Sequence, residues 1–565
     1  MFSIKKLGAI SRTYNHLNRY HQILRVLFKY GFNDLVERLH LDQYLESGLK
    51  MINRKPREQL EKHSRPERLR MALEELGPTF IKLGQLLSTR SDFIELEYLK
   101  ELAKLQDAVP PFPFAEAQRI IREETGKELT ELFSYFDETP LAAASIGQVH
   151  RARLHDGTEL VIKVQRPDIE KIIAVDLEIL AHIASLMEQY LEELKGHRPT
   201  AIVNEFARSI SREIDFTREI ANINRFARQF QNNPTIYIPK AFSTYSTERV
   251  LFLEYIDGIK ASKIIDLKRQ KYDLPLIAER GSNLVMEQIF IHGFFHADPH
   301  PGNIFILPDN VICFIDFGQM GRLSRKDRED FTDLVLDLVG GDEQRVTDGV
   351  LNLTLHYGEI DRNGLSLDLG DLMDRYLYLP LGEMHVGKIL QDLLFIVSKH
   401  QIYFKPNMYL MIKALSTVEG VGQVLDPGLE LIRVAEPFMR RIKTGRLSPR
   451  RLLEEVGDTG GNYLGLFRTL PEDIRTILSL LRGGKMKIAF RHSGLEGFEN
   501  SLDRISNRIA FAIVLASQII GSSLIVLSGI PPKWHDIPVV GLGGFLLAII
   551  MGFWLLLSII RHGRM

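Results

Sequence analysis

The chain has a single cysteine, Cys313, set inside the apolar run VICFID. No intrachain disulfide can form, which suits a reducing compartment. Apolar neighbours and no adjacent base make Cys313 a buried strand residue rather than a nucleophile. There is no excess of charge either: 71 Lys and Arg stand against 72 Asp and Glu. Nothing in that balance points to nucleic acid as a partner. Acidic residues are missing from the first 30 positions, which carry Lys5, Lys6, Arg12, Arg19, Arg25 and Lys29. The stretch lacks the continuous apolar centre and small-residue cleavage site of a secretory signal. It reads as an amphipathic helix, with Leu17, Ile23, Leu24, Leu27 and Phe28 on one face. Two uses fit such a face: packing on the rest of the chain, or contact with an anionic membrane surface.

Charge vanishes twice more near the other end. Ile509–Ile530 and Ile537–Ile560 contain no charged residue, and the short turn PPKWHD separates them. Each exceeds the roughly 18 residues that cross a hydrocarbon core as a helix. Gly541, Gly543 and Gly544 would let two helices approach closely. Arg504 and Arg508 precede the first run, Arg561 and Arg564 follow the second, and the turn has only Lys533. Positive flanks on both outer ends predict a hairpin in the inner, cytoplasmic membrane with the upstream body in the cytoplasm. A further basic cluster, Arg440, Arg441, Lys443, Arg446, Arg450 and Arg451, is either a solvated face or a contact with anionic headgroups.

With 565 residues the chain is too long for one core. Its middle reads as an α/β body. In PLAAASIGQVHRARLHDGTELVIKVQRP two β-like runs flank the turn HDG, and the second carries Lys163. A lysine between apolar strand neighbours, if buried, needs a carboxylate or phosphate partner. The helical run EFARSISREIDFTREIANINRF offers Glu205, Glu213, Asp215 and Glu219. We favour Glu219, with Glu213 as the second choice. Glu213 and Asp215 lie two apart, so on one helix they point in different directions. RVLFLEYIDGIK by itself reads as an ordinary strand and turn; set beside a kinase hinge, the backbone of Glu254, Tyr255 and Ile256 would face an adenine. Downstream, FFHADPHPGNIFIL is followed by DFG: Asp298, then Asn303, an apolar strand, and Asp316. Protein kinases write this order H-R-D-x-x-x-x-N and D-F-G, with V-A-I-K and a glycine-rich loop upstream. Three elements of that pattern are missing. Ala297 stands where the arginine would be; Ala142 and Ala144 take the first two glycine positions, although Gly147 and Val149 match; no A-P-E segment follows DFG. The alanine Cβ atoms restrict how closely this loop can approach phosphates.

From about Pro78 to Leu323 the chain resembles the UbiB-type atypical kinases, the family that includes the mitochondrial ADCK proteins. PTFIKLGQLLSTRSDFI holds its KxGQ signature at Lys82, Gly84 and Gln85; AAASIGQVHRA its alanine-rich loop; REIDFTREIAN its ExD pair, Glu213 and Asp215. The resemblance implies an α+β, two-lobed, protein-kinase-like fold. An added N-terminal helical segment, a mainly helical C-terminal lobe and a transmembrane helical hairpin complete it. The expected divisions are a basic extension (1–70), the KxGQ segment (71–135), an N-lobe (136–258), a C-lobe with helical extension (259–500) and two membrane helices (509–560). In the implied site, ATP or ADP is held by Ala142, Ala143, Ala144, Ser145, Ile146, Gly147, Gln148, Val149 and Lys163, and by Glu254, Tyr255 and Ile256. Mg²⁺ is held by Asn303 and Asp316, and Asp298 and Lys163 act in catalysis. Lys82 and Gln85 face the nucleotide from an added helix with Glu213 nearby, and Asp215 and Glu219 complete the ion-pair and gating set. The implied role is an ATP-dependent phosphotransferase or ATPase that supports ubiquinone synthesis, with lipid, quinone-pathway enzymes and a polyprenylated phenol as partners. The alternative is a nucleotide-binding scaffold without turnover. No oligomeric state is assigned.

Overall fold

The computed structural model describes residues 4–41, 62–446 and 496–562, except 89, 91–92, 106–108, 193–197, 356–359, 378, 380–382 and 535–536. Arg450, Arg451, Asp536 and Arg564 lie outside the described residues. Two compact units divide the chain, Met1–Glu454 and Glu455–Met565.

The first unit begins with helices α1 (Ile4–Lys29) and α2 (Asn33–Arg38), then α3 (Arg65–Leu76) and α4 (Pro78–Leu87). Ser64 and Glu67 close a capping box that starts α3, and Gly77, at φ +96°, ends it and turns the chain directly into α4. On α1, Ile23, Leu24 and Val26 are buried within the protein, and Arg19 pairs with Asp176 at 2.7 Å. Of the two uses open to this amphipathic face, packing on the chain itself is the one the structure shows. Helices α5 (Leu96–Leu102), α6 (Phe114–Thr125) and the single turn α7 (Leu129–Leu132) lead into the first sheet.

That sheet comprises β1 (Phe133–Phe136), β2 (Ala142–Ala143), β3 (Gly147–Leu154), β4 (Glu159–Gln165) and, later in the chain, a fifth strand at Val250–Glu254. Alternation along β4 decides where its side chains go. Leu160, Ile162 and Val164 are buried against Ile120 and Ile121 of α6. Lys163 therefore points to the opposite face. There α8 (Ile169–Tyr190), α9 (Pro199–Glu213) and α10 (Phe216–Gln229) follow. Phe80 and Leu83 of α4 share a core with Ile173 of α8 and with Phe206 and Ile210 of α9, which seats the KxGQ helix on the N-lobe.

A second sheet has the order β5 (Ile236–Tyr237), then Val311–Phe314, Ile304–Leu307 and Ile259–Lys260. With β6 (Val250–Glu254), β7 (Ile259–Lys260), β8 (Phe294–His296), β9 (Ile304–Leu307), β10 (Val311–Phe314) and β11 (Met320–Arg322) this brackets the catalytic loop. β9 and β10 pair antiparallel, so the loop after β8 and the turn after β10 open on the same end. Cys313 on β10 is buried, and burial pushes its thiol pKa up. The rest is mainly helical, with one short antiparallel pair, β12 (Thr354–Leu355) and β13 (Tyr403–Phe404): α11 (Ile264–Arg269), α12 (Leu274–Met286), α13 (Arg325–Gly340), α14 (Glu343–Leu353), α15 (Arg362–Leu377), α16 (Val386–Lys399), α17 (Pro406–Leu425) and α18 (Leu431–Arg446). In the basic stretch on α18, Arg446 bonds Asp333 at 2.6 Å and Arg440 bonds Glu436 at 2.5 Å.

The second unit has two long helices, α19 (Glu496–Ser528) and α20 (Val539–His562). Ser506–Ser528 is long and apolar enough to cross a membrane, with mean hydropathy 2.2. The apolar part of α20 among the described residues, Val539–Leu555, is shorter than that. Gly541 and Gly544 lie against Ser522 and Val526 of α19, where a side chain would not fit. Gly543 faces open space, so only two of the three glycines serve the approach.

Candidate active site

Lys163 Nζ meets Glu219 Oε2 at 2.9 Å. Glu219 is buried on α10, one turn from the helix start, and its other oxygen faces the N–H of Phe317 at 3.4 Å. Burial works against the Lys163 ammonium, but Glu219 and then Asp316 outweigh it and raise its pKa, so the lysine stays charged. Burial also opposes the Asp316 carboxylate. Lys163, the Gly318 N–H donating at 2.9 Å, His296 and Lys82 prevail and draw its pKa down to about 2. Phe317 packs edge-on against Phe226 of α10 at 5.2 Å and beside His296 at 5.9 Å, and Asn222 donates to its carbonyl at 2.9 Å. The DFG turn is thus fastened to α10 by a ring stack, a carboxylate and an amide.

The catalytic loop meets the same turn. Ile315 N–H donates to the Asn303 carbonyl at 3.1 Å, and Asp298 N–H donates to His296 Nδ1 at 3.2 Å. His296 is fully enclosed, and burial lowers its pKa, which favours the neutral ring. Over this site lies α4: Lys82 Nζ pairs with Glu213 Oε1 at 2.5 Å, with both side chains about one-tenth exposed. Glu213 lies beside Gly318, and Lys82 is among the charges acting on Asp316. The two carboxylates offered for Lys163 therefore divide, Glu219 to Lys163 and Glu213 to Lys82.

Other expected site residues fall elsewhere. The Gln85 amide donates to the Leu105 carbonyl at 3.3 Å and fastens α4 to the segment that follows α5. Asp215 is the N-cap of α10: it accepts from Thr217 N–H at 3.0 Å and pairs with the exposed Arg218, so it shapes a helix start. Gln148 is buried; its oxygen accepts from Phe112 N–H at 3.1 Å and its amide nitrogen meets His150 at 2.9 Å. Both of those bonds are internal to the lobe. Ala142 and Ala143 pair with Val149 and Gln148, and Ala144 N–H donates to Gly147 O at 2.8 Å, which closes the turn through buried Ser145 and Ile146. A Cβ on Gly147 would lie 2.6 Å from the Val164 carbonyl, so strand packing demands that glycine. Glu254 accepts from Tyr237 O–H at 2.8 Å and Lys240 N–H at 3.0 Å. Tyr255 N–H donates to Glu159 O at 3.1 Å and its ring lies 4.1 Å from the Arg151 guanidinium; Ile256 follows in the loop after β6.

The comparisons with known proteins fit this geometry. The ABC1 atypical kinase-like domain matches residues 104–350, the UbiB helical domain 369–430, and the ABC1/UbiB kinase-like C-terminal domain 493–561. A Pseudomonas fluorescens (strain SBW25) protein named probable protein kinase UbiB is 34% identical over 77% of this chain and 83% of its own length. The chain belongs to the UbiB family of atypical kinases. A Clostridium pasteurianum relative, an uncharacterized protein in the hydrogenase 1 5' region, is 33% identical over 98% of this chain and all of its own. A solved Mycobacterium tuberculosis protein in complex with erythromycin aligns at 23% identity and TM-score 0.46, over 67% of this chain and 96% of that one.

Two functional neighbours escape a reading of the UbiB motifs. Arg166, three residues past Lys163, donates to the Ala144 carbonyl at 3.0 Å and to the Pro110 carbonyl at 2.9 Å, and so clamps the alanine loop to the segment preceding α6. The run VIKVQRP shows the arginine but not its partners. Lys413, on α17, reaches Asp298 at 3.1 Å. Nothing in the sequence between them signals that pairing.

Proposed function

We propose that this UbiB-family chain is a membrane-anchored phosphotransferase or ATPase that binds Mg²⁺–ATP or Mg²⁺–ADP and supports isoprenoid-quinone synthesis. In that role it acts on or extracts a lipid precursor such as a polyprenylated phenol, beside other enzymes of the pathway. The observation that carries this reading is Lys163 paired with Glu219 at 2.9 Å, Glu219 in turn facing the Phe317 N–H of the DFG turn, and the Asn303 loop tied to the same turn.

Asp316 and Asn303 are the residues that would hold Mg²⁺. Their hard oxygen donors suit an ion that keeps waters and takes phosphate oxygens. Among the described residues no set of three or more His, Cys, Asp or Glu converges as a protein-only cage, consistent with ligands shared with a nucleotide. Bound Mg²⁺ supplies charge neutralisation on phosphate oxygens. Lys163 adds a fixed ammonium toward the same phosphates, held in place by Glu219. Asp298 orients the attacking hydroxyl or water and takes its proton. The α4 cover, fastened by Lys82–Glu213, leaves little room for a peptide and favours a small or lipid acceptor.

The deciding experiment is phosphate release by the purified full-length chain, with and without lipid vesicles and phenolic quinone precursors. Release that rises with lipid or phenol and is lost in Asp316→Asn supports the enzyme. Nucleotide-dependent thermal stabilisation with no release under any condition would support the scaffold reading in its place.

A further inference from the structure

The catalytic loop carries no permanent cation. Pro299, His300, Pro301 and Gly302 fill the interval between Asp298 and Asn303, and Ala297 precedes it. An ammonium is nevertheless present: Lys413 Nζ lies 3.1 Å from Asp298 Oδ1, with the two side chains 28% and 33% exposed. A partly exposed pair of this kind is screened by solvent, so folding gains little from it. The helix that delivers Lys413 is well anchored. Met411, Ala414, Leu415 and Val418 of α17 are buried in the helical lobe. One turn before Lys413, buried Tyr409 lies under the Arg90 guanidinium at 4.7 Å, and Arg90 pairs with Glu205 of α9 at 2.7 Å. Arg90 follows α4 by three residues. Positions four apart share a helix face. One face of α17 therefore touches both the segment that ends the cover and the acid of the catalytic loop.

Resting on the phosphoryl-transfer reading, we propose that Lys413 is the positioning residue of Asp298. It supplies from the helical lobe the cation that the catalytic loop lacks, and it fixes the carboxylate in the rotamer that faces an acceptor hydroxyl or water. Lys413 acts through Asp298 and not through the nucleotide. Its loss lowers turnover and leaves nucleotide affinity in place. The benefit is geometric, since misplacement of a reacting group by about 1 Å costs on the order of 100-fold in rate.

The test is Mg²⁺-dependent phosphate release by the full-length chain carrying Lys413→Met, Lys413→Arg, Asp298→Asn, or Lys413→Met with Asp298→Asn. Fluorescent-nucleotide titration and a thermal melt accompany each. Lys413→Met is expected to lower turnover roughly 10- to 100-fold with unchanged nucleotide affinity. Lys413→Arg should recover part of the loss, and in the Asp298→Asn background Lys413→Met should add nothing. If Lys413→Met does not fold, Lys413→Gln is read in its place. Equal losses in both backgrounds, or a fall in affinity and melting temperature alongside turnover, overturn the assignment. A wild type that turns over, is silenced by Asp316→Asn and is indifferent to Lys413→Met removes the role of Lys413 alone. A wild type that releases no phosphate removes the enzyme reading and this role together.

Discussion

Lys163 and Glu219 meet at 2.9 Å although 56 residues separate them, and the same carboxylate faces Phe317 N–H at 3.4 Å. One side chain thus holds both Lys163 and the DFG turn. Removing either partner of a buried ion pair typically costs about 3–5 kcal/mol, because the other charge is left uncompensated. Glu219→Ala is expected to lower the melting temperature of the unloaded chain and to abolish Mg²⁺–ATP stabilisation. Lys163→Ala and Asp316→Asn should each weaken that stabilisation as well. Undiminished Mg²⁺–ATP stabilisation in these two variants, read by thermal shift, would refute the kinase-like site.

Asp316 makes a pH signature. Its folded pKa of about 2 lies below the ordinary 3.8. A depressed carboxylate contributes stability that is fully present above its unfolded pKa and is lost as pH falls toward the folded one. The window is therefore about pH 4 down to pH 2. Lys163→Met removes the strongest favourable charge and leaves Glu219 and burial, both of which raise the Asp316 pKa. Melting temperatures of the unloaded variant from pH 7 to pH 3 should begin to fall at higher pH than those of wild type. Parallel curves would show that Lys163 does not govern Asp316.

Two residues of the KxGQ signature should separate by assay. Lys82 is paired with Glu213 beside the DFG turn, whereas Gln85 donates to Leu105 O. Lys82→Ala is expected to change turnover while nucleotide still binds. Gln85→Ala should cost about 1 kcal/mol of stability through one lost hydrogen bond and leave turnover per folded molecule unchanged. The alanine loop divides in the same way. Gly147→Ala places a methyl group 2.6 Å from Val164 O and should destabilise the N-lobe, typically by about 1–3 kcal/mol. Ala144→Gly removes a methyl group and should instead alter nucleotide preference or autophosphorylation, measured by radiolabelled γ-phosphate transfer with ATP and ADP binding.

What the sequence made legible depended on separation along the chain. Strand alternation announces the direction of Lys163, and spacing announces Asp298, Asn303 and Asp316, because each signal lies within a few residues. Sorting Glu213 from Glu219 required the break at Ile214–Asp215 that ends α9 and starts α10, a cap that helical periodicity alone passes over. The same break makes Asp215 the N-cap of α10, a position that periodicity does not mark. Lys413 and Arg90 could not be assigned, since their partners come from α17 and α9 through tertiary packing that leaves no local pattern. At the N-terminus the basic amphipathic pattern was read correctly as helix. What covers its apolar face was decided by α3, α4 and α8, to which no periodicity points.

The C-terminal hairpin gives the last prediction. Its first helix contains a 23-residue segment with the length and hydropathy of a membrane span. Its second helix packs Gly541 and Gly544 against Ser522 and Val526, while Gly543 faces away. Glycines at a membrane helix contact permit close backbone approach, and packing rather than hydrophobic exclusion holds such helices together. Gly544→Leu should therefore separate the two helices, and Gly543→Leu should be tolerated. Arg508 lies near the start of the Ser506–Ser528 segment, just before its uncharged part, and Trp534 sits in the connecting turn. Excess Arg on the outer flanks favours keeping those ends in the cytoplasm, and the labelling experiment tests whether the turn lies on the far side. In a chain with Cys313→Ser, an introduced Trp534→Cys should react with an impermeant thiol reagent on intact spheroplasts, and Arg508→Cys should react only after permeabilisation. Gly544→Leu should weaken the Trp534→Cys signal by loosening the hairpin, and Gly543→Leu should preserve it. The reverse labelling pattern would invert the topology, and a chain that washes off membranes without detergent would dismiss the span.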